Sequence, residues 1–202
     1  MVFFAEKKAE DFLEKHGFSI IKRKFVKRKS QIKNALVGFK FPVVMKVAGN
    51  KIVHKSYLNG VKLGIKTYSE ALHEFEKLLK IRGANGVLIQ ESLKGKEIFF
   101  GIKKNPEFGY VILFGTGGTN VENSKDVAFR VLPLNKDEIR TMVKETAVGK
   151  KLSKSELFNV EENLLKLCGL IEKFPNIYEL DINPIFIKNK KSYIADARIV
   201  FV

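Results

Sequence analysis

The chain has 202 residues, with 37 Lys and Arg against 22 Asp and Glu, one Cys, no Trp, 17 Phe and 45% hydrophobic residues. That is enough to bury a core in one domain or two small ones, and it excludes a disordered chain. One cysteine excludes a disulfide framework, no apolar run approaches the roughly 18 residues of a membrane span, and the apolar start at residues 1–5 is too short for a signal peptide, so a cytoplasmic protein without a membrane partner is expected. The net charge of +15 favours phosphate-bearing partners. The densest basic run, residues 21–29, reads either as an anion patch or as a solvated edge whose lysines discourage strand pairing. Phe25 is the only aromatic residue within it, which leaves no stacking platform, so nucleic acid is not an expected partner.

Residues 6–16 place Ala9, Phe12, Leu13 and His16 on one helical face, and Gly17 stops the helix. Residues 42–47 form a short apolar strand, 48–59 a loop and 61–66 a strand. Thr67 and Glu70 then make a capping box for a helix carrying Leu72, Phe75 and Leu79. Strands follow at 86–91, 97–103, 109–114 and 126–132, separated by Lys94-Gly95, Asn105-Pro106 and the run Gly115-Thr116-Gly117-Gly118. That glycine run reads either as a set of backbone N–H groups for an anion or as a plain sharp turn, since any such turn can use glycines. Two helices come next, at 135–146 and after Ser153-Lys154-Ser155-Glu156. The second turns Val160, Leu164, Leu167, Cys168 and Ile171 inward, so Cys168 is a core residue. A hairpin, 178–187 and 191–201, closes an α+β pattern with mostly antiparallel neighbours.

The hairpin carries chemistry. Asp181 and Asn183 share a face because strand side chains alternate. With Asn189-Lys190 as a two-residue turn, Lys188 faces Lys191, Asn183 falls opposite Asp196, and Asp181 falls opposite Arg198. Two carboxylates and an amide oxygen suit Mg²⁺; the same alternation also describes a plain solvent face. Lys46 ends the apolar run Pro42-Val43-Val44-Met45, where it reads as a solvent-facing lysine or as a point charge for a phosphate. A Gly-x-x-x-x-Gly-Lys-Ser/Thr loop is absent, which excludes a Walker-type site.

These pieces, in this order, resemble the ATP-grasp (beta) subunit of the ADP-forming acyl-CoA synthetases, or acetate–CoA ligases (ADP-forming). The similarity runs through Phe41-Pro42-Val43-Val44-Met45-Lys46, His54-Lys55-Ser56, Gly60-Val61-Lys62-Leu63, Val87-Leu88-Ile89-Gln90-Glu91, Glu97-Ile98-Phe99-Phe100-Gly101, Phe114-Gly115-Thr116-Gly117-Gly118, Asp126-Val127-Ala128-Phe129-Arg130, Glu179-Leu180-Asp181-Ile182-Asn183-Pro184 and Ile194-Ala195-Asp196-Ala197-Arg198. The resemblance implies an ATP-grasp fold with two α+β lobes, about 1–90 and 91–202, holding ATP or ADP between them. It implies that Lys46 contacts the phosphates, that Gln90 to Leu93 form the hinge reading adenine with Glu91 at its polar edge, and that Glu97 lies toward the ribose. Arg130 would face the phosphates or make a structural ion pair. Asp181, Asn183 and Asp196 match the Mg²⁺ positions, and His54 matches a mobile-loop histidine that relays phosphoryl to a CoA-binding alpha subunit. The chain departs from the family with Gly49-Asn50-Lys51 in place of Ser-Pro-Asp and Tyr57-Leu58-Asn59-Gly60 in place of Asp-x-Gly-Gly. A succinate–CoA ligase type of subunit and a nucleotide-binding scaffold with a decayed relay loop are the alternatives.

Overall fold

The computed structural model describes residues 1–49, 52, 55, 58–118 and 125–202. It divides into two units, one of Met1–Ile20 with Lys94–Val202 and one of Ile21–Leu93. The opening segment therefore belongs with the C-terminal unit, where the sequence reading had put it in the first lobe. The reason is pairing from end to end of the chain. Strand β1 (Val2–Phe4) lies antiparallel to β11 (Ala197–Phe201), and helix α1 (Glu6–Lys15) buries Ala9 and Leu13 in that unit's core.

The smaller unit is a four-stranded antiparallel sheet in the order β2 (Arg23–Val26), β5 (Gly86–Glu91), β3 (Val43–Ala48) and β4 (Val61–Ile65). Val43, Met45, Val47, Val87 and Ile89 face helices α2 (Ile32–Ala35) and α3 (Tyr68–Leu79), where Ile32, Phe75 and Leu78 complete the core. The expected capping box is present. Glu70 N–H donates to Thr67 Oγ1 at 3.1 Å, and Lys66 N–H donates to Glu70 Oε2 at 2.8 Å. The basic run 21–29 supplies edge strand β2, whose Lys24 is exposed, and Lys22 lies over the Phe39 ring and donates to Gly38 C=O. That is the solvated, lysine-guarded edge.

The larger unit has a seven-stranded antiparallel sheet in the order β1, β11, β9 (Ile177–Lys188), β6 (Lys96–Asn105), β7 (Gly109–Thr116) and β8 (Val127–Val131), with β10 (Lys191–Ile194) also on β9. Helices α4 (Lys136–Glu145), α5 (Ala147–Lys150) and α6 (Lys154–Lys173) pack with α1 on one face. They meet Ile98, Phe100, Ile102, Ile112, Phe114, Leu180 and Ile182 there. Asn135 and Ser153 cap α4 and α6, each through a capping box with a Glu three residues on. Arg140 on α4 grips Glu161 of α6 with two hydrogen bonds, of 2.7 and 3.1 Å, which satisfies a carboxylate only 1% exposed. Cys168 is in the core, and burial pushes its thiol up to about 11, far from a reactive thiolate.

The C-terminal hairpin has the register read from the sequence. Lys191 faces Lys188, Ile194 faces Ile185, and Arg198 faces Asp181. Asn189 and Lys190 have φ of 50° and 65°, the left-handed pair that a two-residue turn between twisted strands requires. The returning strand is interrupted at Ala195 and Asp196, between β10 and β11.

Candidate functional site

The face of the large sheet away from the helices carries the polar cluster. Asp181 lies between Gly101 on β6 and Arg198 on β11, and Arg198 is ion-paired with Glu179. At the interruption of the returning strand, Asn183 N–H donates to Asp196 C=O at 3.1 Å and Ala195 N–H to Pro184 C=O at 3.0 Å. Asn183 and Asp196 are thus cross-strand neighbours. On the other side, Ile98 faces Ile185 but Phe100 faces Ile182, so Asn183 and Pro184 together oppose Phe99. This bulge sits beside the candidate metal residues, the position where bulges commonly re-aim a side chain.

The bulge aims Asn183 at the glycine run. Gly118 N–H donates to Asn183 Oδ1 at 2.8 Å, and Asn183 Nδ2 donates back to Gly118 C=O at 3.4 Å. Gly117 N–H donates to Glu97 C=O at 2.9 Å, and Thr116 N–H to Asp126 C=O at 3.2 Å. The three N–H groups of residues 116–118 are thus all taken within the protein, as in the plain-turn reading of this run. Gly118 has φ +96°, the left-handed region that favours glycine, and a Cβ there would lie 2.4 Å from Glu97 Oε2 and push that carboxylate aside.

Asp126 anchors the far side of the run. Its carboxylate accepts from the Thr116 hydroxyl and from Ala147 and Val148 N–H. Burial works to raise its pKa, but those hydrogen bonds and Lys150 outweigh it and hold the carboxyl below its usual range. Sequence spacing gives no sign of this role, because Asp126 reads there as a strand start and as part of a family-matching run with no assigned chemistry. Glu97 behaves in the opposite way, because burial raises its pKa above the usual 4.5. A carboxyl with a raised folded-state pKa costs stability once pH rises past its unfolded value, and the cost is complete above the folded one. Glu97→Gln is therefore expected to raise the thermal midpoint at pH 7–8, with the gain shrinking as pH falls through the raised folded-state pKa and gone below about 4. Melting curves at the two pH values check this.

Asp181, Asn183 and Asp196 offer oxygen donors only, the set that Mg²⁺ prefers. Among the described residues no three His, Cys, Asp or Glu gather as a metal cluster, so the candidate set has two carboxylates and completes itself with an amide. Asn183 Oδ1 has a second lone pair beyond the one facing Gly118, so the observed hydrogen bond is compatible with a cation. Arg130 leaves the candidate set. It is paired with Ile112, on the helix-covered face, and its guanidinium binds Glu145 and Phe129 C=O; the face of Asp181 carries Phe129 instead. The structural ion pair is the reading that its placement supports.

In the smaller unit, Lys46 lies on β3 between Leu88 and Val61 and is 6% exposed. It shares a sheet face with Gln90, which is 2% exposed, opposite the face packed on α3. Alternation puts Glu91 on the other face, opposite Val43, and its N–H donates to Lys22 C=O at 3.0 Å. Leu93 is half-buried in the connection after β5. His54 lies outside the described residues. Gly60 is bound at both groups: its N–H donates to Lys55 C=O at 2.8 Å and its C=O accepts from Val47 N–H at 2.7 Å. The unit of Ile21–Leu93 holds 16 of the Lys and Arg but only four Glu and no Asp, so it carries most of the positive charge. Such a field draws polyanions toward that unit.

The ATP-grasp domain family matches residues 3–201. The chain is 31% identical over 210 residues to the acetate–CoA ligase [ADP-forming] I subunit beta of Pyrococcus furiosus, covering 96% of this chain and 90% of that one. The chain belongs to the ATP-grasp family, in the group of the ADP-forming acetate–CoA ligases. Within this family it is 41% identical over 201 residues to acetate–CoA ligase [ADP-forming] II of Archaeoglobus fulgidus, covering 96% of this chain but 30% of that protein. The ATP-grasp chain thus spans about a third of its longer relatives and nearly all of the subunit-sized ones. It matches, with a TM-score of 0.90 and 27% identity, the dinucleotide forming acetyl-coenzyme A synthetase 1 of Ca. Korarchaeum cryptofilum in complex with coenzyme A, Ca-AMPCP and HgCl⁺, covering 99% of this chain and 93% of that one. A second structure of that protein, with a TM-score of 0.82, 26% identity and the same coverage, holds coenzyme A and Mg-AMPPCP with its phosphohistidine segment pointing towards the nucleotide binding site. Among the described residues no helix is long and apolar enough to cross a membrane.

Proposed function

We propose that the chain is the nucleotide-binding subunit of an ADP-forming acetate– or acyl–CoA ligase, which interconverts acyl-CoA, ADP and phosphate with acid, CoA and ATP. The observation that carries this reading is the alignment with a beta subunit over 90% of its length, joined to a hairpin register that makes Asn183 and Asp196 neighbours beside Asp181. Lys46 and the Gln90 to Leu93 segment bind ATP or ADP, with Glu97 toward the ribose. Asp181, Asn183 and Asp196 hold Mg²⁺, which when bound supplies charge neutralisation for the phosphoryl group.

In the ATP-forming direction His54 carries phosphoryl on its imidazole, and the terminal oxygen of ADP attacks that phosphorus. The P–N bond breaks as the P–O bond of ATP forms, and the ring keeps the electron pair. Imidazole suits the task because it is nucleophilic when neutral near pH 7 and leaves readily from a phosphoramidate. The relative whose phosphohistidine segment points towards its nucleotide site supports this assignment. A CoA-binding alpha subunit supplies the acyl chemistry, so a hetero-oligomer is expected. One cysteine and a nucleotide substrate fit the cytoplasm. The test combines the chain with its CoA-binding partner, acetyl-CoA, ADP, phosphate and Mg²⁺. ATP formation is the expected result, and none with a folded complex overturns the proposal.

A further inference from the structure

The clasp between Asn183 and Gly118 is made of two unequal hydrogen bonds, 2.8 Å into Oδ1 and 3.4 Å out of Nδ2. One side-chain amide therefore both accepts from and donates to a single backbone residue. We propose that this clasp is a cation-driven see-saw, in which loading the cation site releases the Gly118 N–H toward the anion that accompanies the cation. The inference rests on the Mg²⁺ assignment to Asp181, Asn183 and Asp196 in the reading above.

A divalent ion on Asn183 Oδ1 withdraws electron density from that oxygen and, through amide resonance, makes the NH₂ group more acidic. Oδ1 becomes a poorer acceptor for Gly118 N–H, and Nδ2 a better donor to Gly118 C=O. The short arm lengthens and the long arm shortens. The flanking N–H groups have no such freedom. Gly117 N–H is held by the Glu97 carbonyl and Thr116 N–H by the Asp126 carbonyl, both within the backbone. Among residues 116–118 only the N–H of Gly118 ends on a proposed cation ligand, so only it answers to the cation.

The surroundings fix Gly118 for this task. Its φ of +96° strains any residue with a side chain and a Cβ would displace the Glu97 carboxylate, while Asn183 on β9 is held by its own N–H to the Asp196 carbonyl in the break between β10 and β11. The ligand class is a phosphate oxygen of a magnesium-bound nucleotide. Without the cation the N–H is satisfied internally, so an anion arriving alone finds no donor there. Gly118 acts as a positioning residue that makes phosphate binding conditional on the metal.

Titration of Mg²⁺ alone into the ¹⁵N-labelled full chain, followed by amide NMR, tests this directly. The expected result is a saturable upfield shift of the Gly118 N–H together with a downfield shift of the Asn183 side-chain NH₂, the Gly118 shift being lost in Asn183→Ala. Saturable shifts at Asp181 and Asp196 with Gly118 unmoved, or moved downfield, overturn the see-saw and leave the Mg²⁺ assignment standing. No response at any of these residues up to high millimolar Mg²⁺ overturns both.

Discussion

His54→Ala is expected to leave Mg·ADP binding unchanged and to abolish the acid-labile phosphoryl label, with ATP synthesis by the complete assembly falling by on the order of 10⁴-fold or more. The size follows from the role. A side chain that forms a covalent intermediate has no substitute once removed, whereas a side chain that only binds leaves a slower route open. The other two histidines serve as internal controls. His16 Nδ1 lies 2.8 Å from Phe12 C=O and its ring packs on Phe12 and Phe174, while the exposed His73 side chain lies beside Glu74 on a helix. Neither has a place in the proposed relay, so His73→Ala is expected to retain full labelling. Label on the wild type that persists in His54→Ala would remove the histidine from the mechanism.

Lys46→Met carries the second largest effect. The side chain is 6% exposed on an interior strand, and methionine conserves most of its apolar stem, so the fold should survive with little change in thermal midpoint. What disappears is the charge. A charge-assisted hydrogen bond to phosphate is worth about 1.5–3 kcal/mol in binding, so Mg·ADP affinity should fall by roughly 10- to 150-fold. If Lys46 also stabilises charge developing on the transferred phosphoryl, turnover falls further, by about 10²–10³. Calorimetry and turnover on the same preparation separate the two losses, and unchanged nucleotide affinity would show that Lys46 is only a packing residue.

The site was most legible where local rules decide geometry. The turn Asn189-Lys190 sets the hairpin register, so the cross-strand placement of Asn183 and Asp196 followed from counting residues. The cap of α3 and the inward face of α6 followed from spacing in the same way. Contacts that join distant parts of the chain were not legible. The pairing of β1 with β11 moves the first residues into the second unit, and no local pattern announces it. Strand β2 was hidden because its alternation is masked by charge; Arg23 and Lys24 face opposite sides of an edge strand. Arg130 was ambiguous until the ladder through Ile112 placed it on the helix side. The clasp of Gly118 depends on a bulge at Asn183-Pro184 that sequence spacing does not reveal.

Calorimetric titration of Mg·ADP into the isolated chain at physiological salt bears most directly on the account, with Asn183→Ala measured beside the wild type. Saturable binding is predicted for the wild type, weakened both by chelating Mg²⁺ and by the substitution. A folded wild-type chain that takes up no nucleotide, or one that binds it equally well without Mg²⁺ and without the Asn183 side chain, would contradict it.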